Sequence, residues 1–170
     1  MVDRYSHFRS VRTCNSVNIV TMPKFSKSSL SKLETCHQDL QTVFHYVIKT
    51  QDCTIIHGHR TPEEQFGLFQ KGRSEVNGIW RVTDPARVVT YKNGYNDKSK
   101  HNAYPSLAVD VMPYYGIKPH IRWDDFEGMK AFGNYVKGVI DMMIKYGTID
   151  NNITWGGDWK SFLDYPHWQI

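Results

Sequence analysis

Three short segments of the sequence combine residue types that can bind a metal ion or move a proton. They are residues 57–65, which begin His-Gly-His-Arg, residues 99–110, which run from Ser-Lys-His to Ala-Val-Asp, and residues 164–168, which read Asp-Tyr-Pro-His-Trp. Each segment adjoins a short apolar run that is typical of a buried β-strand. If those strands share one sheet, the polar residues can meet at a single place.

Asp110 is the most informative of these residues, because it interrupts an apolar run from Leu107 to Met112. A carboxylate inside a strand of that kind is costly to bury unless it is paired or bound to a metal ion. His101 precedes it and His167 lies beside another predicted strand. One carboxylate and two imidazoles form a three-ligand set that suits zinc and leaves a fourth position for water. We therefore predict a catalytic zinc site at the ends of these strands.

A hydrolytic zinc site also needs a base and a donor for the developing negative charge. Asp164 lies three residues before His167, so its carboxylate can lie beside the metal ion without binding it and act as general base. Arg60 lies between a predicted strand and a helix start, a rigid place for a cation that stabilises an oxyanion. Because His and Asp are common residues, ordinary surface or core polar groups remain the alternative interpretation of this spacing.

The elements that must position these residues form an α+β pattern. Apolar residues at three- and four-residue spacing predict one helix from Ser29 to Ile48, with a capping box at Ser31–Glu34. Thr61 followed by Pro62 marks the start of a second helix that ends near Gly72. A third helix is predicted from Asp125 to Gly147. Short strands are predicted at residues 53–56, 88–91, 107–115, 153–155 and 167–170. We expect a small single domain with helices packed on a mainly antiparallel sheet.

Composition limits the classes of protein that this chain can belong to. Its 170 residues, of which 40% are hydrophobic, suffice for one domain with its own core. Residues 1–32 carry six Lys or Arg and one acidic residue, whereas the rest is nearly neutral. We therefore predict a loosely ordered basic extension over residues 1–21 and a catalytic domain over 22–170. A nucleic-acid partner is not expected, since the folded part lacks a dense basic face. No apolar run approaches the length of a membrane span, so we expect no membrane insertion.

The three polar segments together resemble zinc peptidases that act on bacterial cell-wall peptides. This family comprises D-alanyl-D-alanine carboxypeptidases and L-alanyl-D-glutamate endopeptidases, and the sequence is most similar to its phage endolysin-like branch. The family motifs are Gly-x-Arg-x-x-x-x-Gln, Ser-x-His, Ala-x-Asp and Asp/Glu-x-x-His. They are matched here by Gly58, Arg60, Gln65, Ser99, His101, Ala108, Asp110, Asp164 and His167. Residues 155–159, Trp-Gly-Gly-Asp-Trp, resemble a turn before the last motif. The sequence departs from the family in having eight residues between His101 and Asp110, where six are common.

The resemblance implies roles for individual residues. It implies a Zn²⁺ ion held by His101, Asp110 and His167, with Asp164 as the base that later protonates the leaving amine. Arg60 would stabilise the carbonyl oxygen in the transition state. Ser99 and Gln65 would contact the substrate or support the residues that do.

The resemblance also implies a function, which is hydrolysis of the peptidoglycan stem peptide at L-alanyl-D-glutamate by a monomeric phage endolysin. Such a protein would be made in the host cytoplasm without a signal peptide and would reach the wall after membrane permeabilisation. A D-alanyl-D-alanine carboxypeptidase with the same metal site is the first alternative. A non-catalytic wall-binding module, which would bind no zinc, is the second alternative.

Overall fold

A computed structural model describes residues 22–170, so the extension predicted over residues 1–21 lies outside the described residues. The helices are α1 (Lys27–Leu33), α2 (Gln38–Val47), α3 (Pro62–Phe69) and α4 (Phe126–Lys145). The strands are β1 (Cys53–His57), β2 (Arg73–Val76), β3 (Ile79–Val82), β4 (Ala108–Pro113), β5 (Thr154–Trp155) and β6 (His167–Gln169).

Four strands form the main sheet in the order β1-β4-β6-β5, and every neighbouring pair is antiparallel. In this register His57 pairs with Asp110 on β4, and Asp110 pairs in turn with His167 on β6. Directly opposed residues of neighbouring strands project from the same face of a sheet. The sheet therefore gathers a carboxylate and two imidazoles from three segments that are far apart in sequence.

The hydrophobic core lies between the sheet and helices α2 and α4. Trp168 on the central strand β6 is fully buried. Its ring meets that of Phe44 from α2 edge to face at 6.0 Å and stacks on that of Trp155 from β5 at 5.7 Å. Burial of such large aromatic surfaces is a main source of stability in a small domain. The predicted α+β class, with helices packed on a mainly antiparallel sheet, is confirmed.

The helix predicted from Ser29 to Ile48 is in fact two helices. Between α1 and α2 the chain bonds to the segment before β4, where the Ser106 amide donates to the Thr35 oxygen and the His37 amide to the Ser106 oxygen, both at 2.8 Å. The apolar pattern continues through this break because each helix buries apolar residues in the same core, Leu33 from α1 and Leu40, Val43, Phe44 and Val47 from α2. The predicted capping box at Ser31–Glu34 is also wrong, since Ser26 caps α1 by accepting from the Ser29 amide.

Residues 88–91 were predicted as a strand, but they form no regular element. A separate hairpin of β2 and β3 precedes them instead, with Asn77 and Gly78 at its turn. Both turn residues have positive φ, 52° and 76°, as a tight two-residue hairpin turn requires. The Asn-Gly pair was the available sequence signal for this hairpin.

The start of α3 agrees with its prediction, because Thr61 accepts from the Glu64 amide and the Glu64 carboxylate accepts from the Thr61 amide. This reciprocal cap fixes the chain directly after Arg60. Within residues 22–170, none of the helices combines the length and apolarity needed to cross a lipid bilayer.

Candidate active site

His101, Asp110 and His167 converge on one point, although they come from a 3-10 turn, β4 and β6. The Nε2 atom of His101 and the Nδ1 atom of His167 lie 3.2 and 3.1 Å from Asp110 Oδ1, and 3.3 Å from each other. All three side chains are buried. The structure thus brings together the three residues that the sequence predicts as metal ligands.

The outer nitrogen of each imidazole has a fixed partner. Nδ1 of His101 lies 2.7 Å from the Gly58 carbonyl oxygen, and Nε2 of His167 lies 3.0 Å from Oε1 of Gln169. Since these oxygens accept hydrogen bonds, each ring donates its proton outward. The inner nitrogens then present lone pairs to the same point as the Asp110 carboxylate, an arrangement that supporting groups commonly impose on metal-binding histidines.

Three converging acceptors are stable only around a cation. Burial lowers the pKa of His101, which favours its neutral form. Burial would also lower the pKa of His167, but the contact with Asp110 outweighs burial and raises this pKa. In the absence of a metal ion, a proton on His167 can therefore supply the positive charge that the site requires. Burial alone would also raise the pKa of Asp110, yet the charge and hydrogen bonds of the histidines hold it well below its usual range.

The donor set fits a zinc ion. Two imidazole nitrogens and one carboxylate oxygen at bond lengths of roughly 2.0–2.1 Å would be about 3.3–3.4 Å apart around a tetrahedral ion. The separations of 3.1 to 3.3 Å between these three atoms come close to that spacing. Three protein ligands leave a fourth position open, which distinguishes a catalytic zinc site from a structural one.

The second oxygen of Asp110 is held by two further residues. Oδ2 accepts from Nη2 of Arg60 and lies 3.2 Å from Nδ1 of His57. These contacts leave Oδ1 as the oxygen that faces the two histidines. His57, the last residue of β1, was not among the predicted catalytic or metal-binding residues, although it opens the first of the three polar segments.

Asp164 is held beside the three ligands by a close backbone contact. Its amide donates to the Gly156 oxygen at 3.0 Å, and its own oxygen accepts from the His167 amide at 3.1 Å. Burial, followed by the negative charge of Asp110, raises the pKa of Asp164 to about 6. A carboxylate with a pKa in this range can both accept and return a proton near neutral pH.

Ser99 and Gln65 support the site through hydrogen bonds to other residues. The Ser99 hydroxyl accepts from the His101 amide at 3.3 Å and so caps the turn that carries this ligand. Gln65 is fully buried, and its Oε1 accepts from Nη1 of Arg60 at 3.4 Å. Its amide nitrogen donates to the Thr90 hydroxyl and the Lys92 oxygen. Both predicted residues therefore adjoin the site, as structural supports.

A cleft of about 1210 Å³ opens over these residues. Its lining includes Asp110, Trp159 and the segments 88–92, 98–103 and 162–167, so it contains all three converging ligands and Asp164. A cleft of this size admits an extended peptide to the converging ligands. The arrangement as a whole can hold a divalent cation, a base and a substrate side by side.

Comparisons with known proteins show which family the chain resembles. The family described as "Phage L-alanyl-D-glutamate peptidase" matches residues 22–168. The peptidoglycan L-alanyl-D-glutamate endopeptidase CwlK of Bacillus subtilis (strain 168) is 31% identical over 120 residues, which cover 70% of this chain and 60% of that protein. The chain therefore spans less than two thirds of the length of that relative.

A crystal structure of the L-Ala D-Glu endopeptidase ChiX of Serratia marcescens has a similar fold. It matches with a TM-score of 0.61 at 20% sequence identity, over 91% of this chain and 95% of ChiX. At this level of identity the similarity concerns the fold.

Proposed function

The chain belongs to the phage L-alanyl-D-glutamate peptidase family, and from that premise we propose that it is a zinc-dependent endopeptidase acting on peptidoglycan. Its substrate would be the stem peptide, and the bond cut would join L-alanine to D-glutamate. The observation that carries the proposal is the convergence of His101, Asp110 and His167 beside the half-buried Asp164. A binding module has no need for a base with a raised pKa next to a metal site.

A zinc ion held by the three ligands would supply Lewis-acid chemistry at the scissile carbonyl. The protein side chains do the rest. Asp164 accepts a proton from the attacking water and returns it to the nitrogen of the departing D-glutamate, so the leaving group departs as a neutral amine. The general base thus ends the cycle ionised, as it began.

Arg60 is a rigidly held cation beside the metal ligands, and we assign to it the contact with the carbonyl oxygen. Its guanidinium bonds to Asp110 and Gln65, which fixes its orientation, while its buried Nε has no hydrogen-bond partner within residues 22–170. A preorganised donor of this kind stabilises charge that develops during the reaction. This supports the role of Arg60 as the oxyanion donor.

We further propose that the protein is a phage endolysin and acts as a monomer. In this role it would be made in the host cytoplasm and would reach the wall after the membrane has been permeabilised. The phage description of the family supports the role. Lysis of outer-membrane-permeabilised cells, together with sedimentation of the purified protein, tests both parts.

The decisive experiment removes the base and keeps the metal site. Asp164→Ala should bind one zinc ion per chain but cleave purified peptidoglycan at least about a hundredfold more slowly. Asp141→Ala, which removes an exposed carboxylate on α4, is the matched control and should retain full activity. Undiminished cleavage by Asp164→Ala would refute the mechanism.

Mass spectrometry of the digest identifies the bond that is cut. New amino-terminal D-glutamate is expected, whereas release of free D-alanine would show a carboxypeptidase instead. Tight binding to the wall without zinc and without either product would indicate a non-catalytic module.

A further inference from the structure

Positive charge is concentrated in one part of the cleft lining. The basic residues Lys92, Lys98 and Lys100 lie within a stretch of nine residues that ends directly before the ligand His101. The acidic residues of the lining are Asp110 and Asp164, which both belong to the catalytic centre. The rim of the centre is therefore cationic on the side of residues 92–100.

Two of these cations have no ion-pair partner within the described part of the chain. Arg60 is bonded to Asp110, and Nζ of Lys92 lies 2.6 Å from Oδ1 of Asp97. Lys98 and Lys100 are exposed and form no ion pair with residues 22–170. Their ammonium groups are thus available to an anionic ligand in the cleft.

The backbone around both lysines is fixed relative to the metal ligands. The Ser99 amide donates to Oδ1 of Asn102 at 2.8 Å, and the Lys100 oxygen accepts from the Leu107 amide at 3.1 Å. The next oxygen along, that of His101, accepts from the Arg60 amide at 2.9 Å. Because the turn is tied to both neighbouring segments, the backbone that carries the two lysines is held beside the centre.

The other cations of the lining are Arg60, which is paired with Asp110, and the exposed Lys71 just after α3. The part of the lining near α4 and β6 is aromatic and apolar. Side chains from the start of α4 and from the segment before β6 contribute this part, namely Trp123, Phe126, Trp159, Phe162 and Leu163. None of these groups can pair with a charge in the way that lysine does. A substrate that extends along the cleft would therefore meet lysine side chains near residues 98–100 and apolar side chains near α4 and β6.

We propose that Lys98 and Lys100 bind the free carboxylate of the D-glutamate residue on the leaving-amine side of the scissile bond. This inference rests on the proposed function and adds a specificity site to it. A D-glutamate residue has two carboxyl groups, and the chain continues through one of them at most. The other therefore lies only a few bonds from the scissile nitrogen, within reach of a lysine beside His101. Hydrogen bonds from an ammonium group to a carboxylate are among the stronger polar contacts.

The test compares two synthetic acetyl-L-alanyl-D-glutamyl peptides that differ only at the D-glutamate residue. In one peptide its main-chain carboxylate is free, and in the other this group is a neutral amide. The zinc-loaded wild-type protein should cleave the free acid with a kcat/KM about tenfold higher, the scale of one charge-assisted hydrogen bond. Lys98→Gln and Lys100→Gln should each reduce this preference, chiefly through KM, and the double variant should abolish it. Cleavage of the amide should stay unchanged in all three variants.

Lys49→Gln provides the matched control, because Lys49 is exposed beyond the end of α2 and does not line the cleft. Zinc content and thermal unfolding of each variant confirm that the site and fold are intact. Equal cleavage of both peptides by the wild type, or an equal loss on both in the variants, would overturn the inference while the proposed function stands. Failure of the zinc-loaded wild type to cleave either peptide would overturn both.

Discussion

Gly156 packs against Asp164 so closely that no side chain fits between them. A Cβ atom at Gly156 would lie 2.4 Å from the Asp164 backbone oxygen, 3.1 Å from the Asp164 Cβ and 3.2 Å from that of His167. The backbone oxygen of Gly156 also accepts a hydrogen bond from the Asp164 amide. The 3-10 turn at Gly156–Asp158 therefore positions the segment that carries both Asp164 and His167.

Substitution of Gly156 by alanine should displace this segment. We expect Gly156→Ala to lower peptidoglycan cleavage at least about tenfold and to destabilise the fold by about 1–3 kcal/mol, the usual cost of overpacking. Steady-state kinetics and urea denaturation measure the two effects. If this variant cleaves peptidoglycan at the wild-type rate, the contact with Gly156 does not position Asp164.

Gly138 on α4 is the natural control, because a Cβ atom there would meet nothing within 4 Å. Gly138→Ala should keep full activity and raise the free energy of unfolding by about 0.5–1 kcal/mol, the difference in helix propensity between the residues. A loss of activity in this variant would mean that the helix itself is sensitive to any substitution.

Zinc should stabilise the folded chain through the three converging ligands. At a free zinc concentration a hundred times the dissociation constant, we expect about 2.7 kcal/mol of added stability, measured as an increase in Tm. A chelator should reverse the increase. His101→Ala should abolish it, whereas His45→Ala, on the exposed side of α2, should respond as the wild type does. An undiminished response in His101→Ala would place the zinc elsewhere.

Gln65 should matter for both stability and catalysis, since it connects Arg60 to the cleft segment at Thr90 and Lys92. Gln65→Leu removes these hydrogen bonds at a fully buried position, and we expect a loss of about 1–3 kcal/mol in unfolding free energy together with a lower kcat. Gln70→Leu, at an exposed position just after α3, is the comparison. If both variants behave alike, the hydrogen bonds of Gln65 have no specific role.

Asp39 should contribute stability that depends on pH. Burial would raise its pKa, but hydrogen bonds from the side chain and amide of Asn151 and from the Asp150 amide outweigh burial and lower it. A lowered pKa in the folded state means that the stabilisation is complete above the unfolded value of about 3.9 and is lost as the pH falls through the folded value. Asp39→Asn should therefore be less stable than the wild type at pH 7, and the difference should narrow below about pH 4. A constant difference between pH 7 and pH 3 in urea denaturation would contradict this.

The convergence of His101, Asp110 and His167 was more predictable than the path of the chain around them. Asp110 was identifiable because a carboxylate inside an apolar strand has few stable environments, and a nearby metal ion is one of them. The start of α3 was equally clear, since Thr61, Pro62 and Glu64 form a purely local signal. Both arguments needed only neighbouring residues.

The parts that failed depend on contacts between distant segments. The break between α1 and α2 comes from hydrogen bonds with Ser106, about seventy residues further along, which no local period reveals. The contact of His57 with Asp110 depends on the register of β1 against β4. The β2–β3 hairpin differs, because its Asn77-Gly78 turn was a local signal that the sequence did contain.

The position of β6 in the sheet has a consequence for biosynthesis. This strand is the last element in chain order, yet it lies between β4 and β5 and carries His167. Since a ribosome delivers residues in order, the nascent chain lacks both Asp164 and the second imidazole until the segment that forms β6 has been synthesised. A product that stops short of β6 would lack an inner strand as well, so the three metal-binding side chains could not converge before this strand has been made.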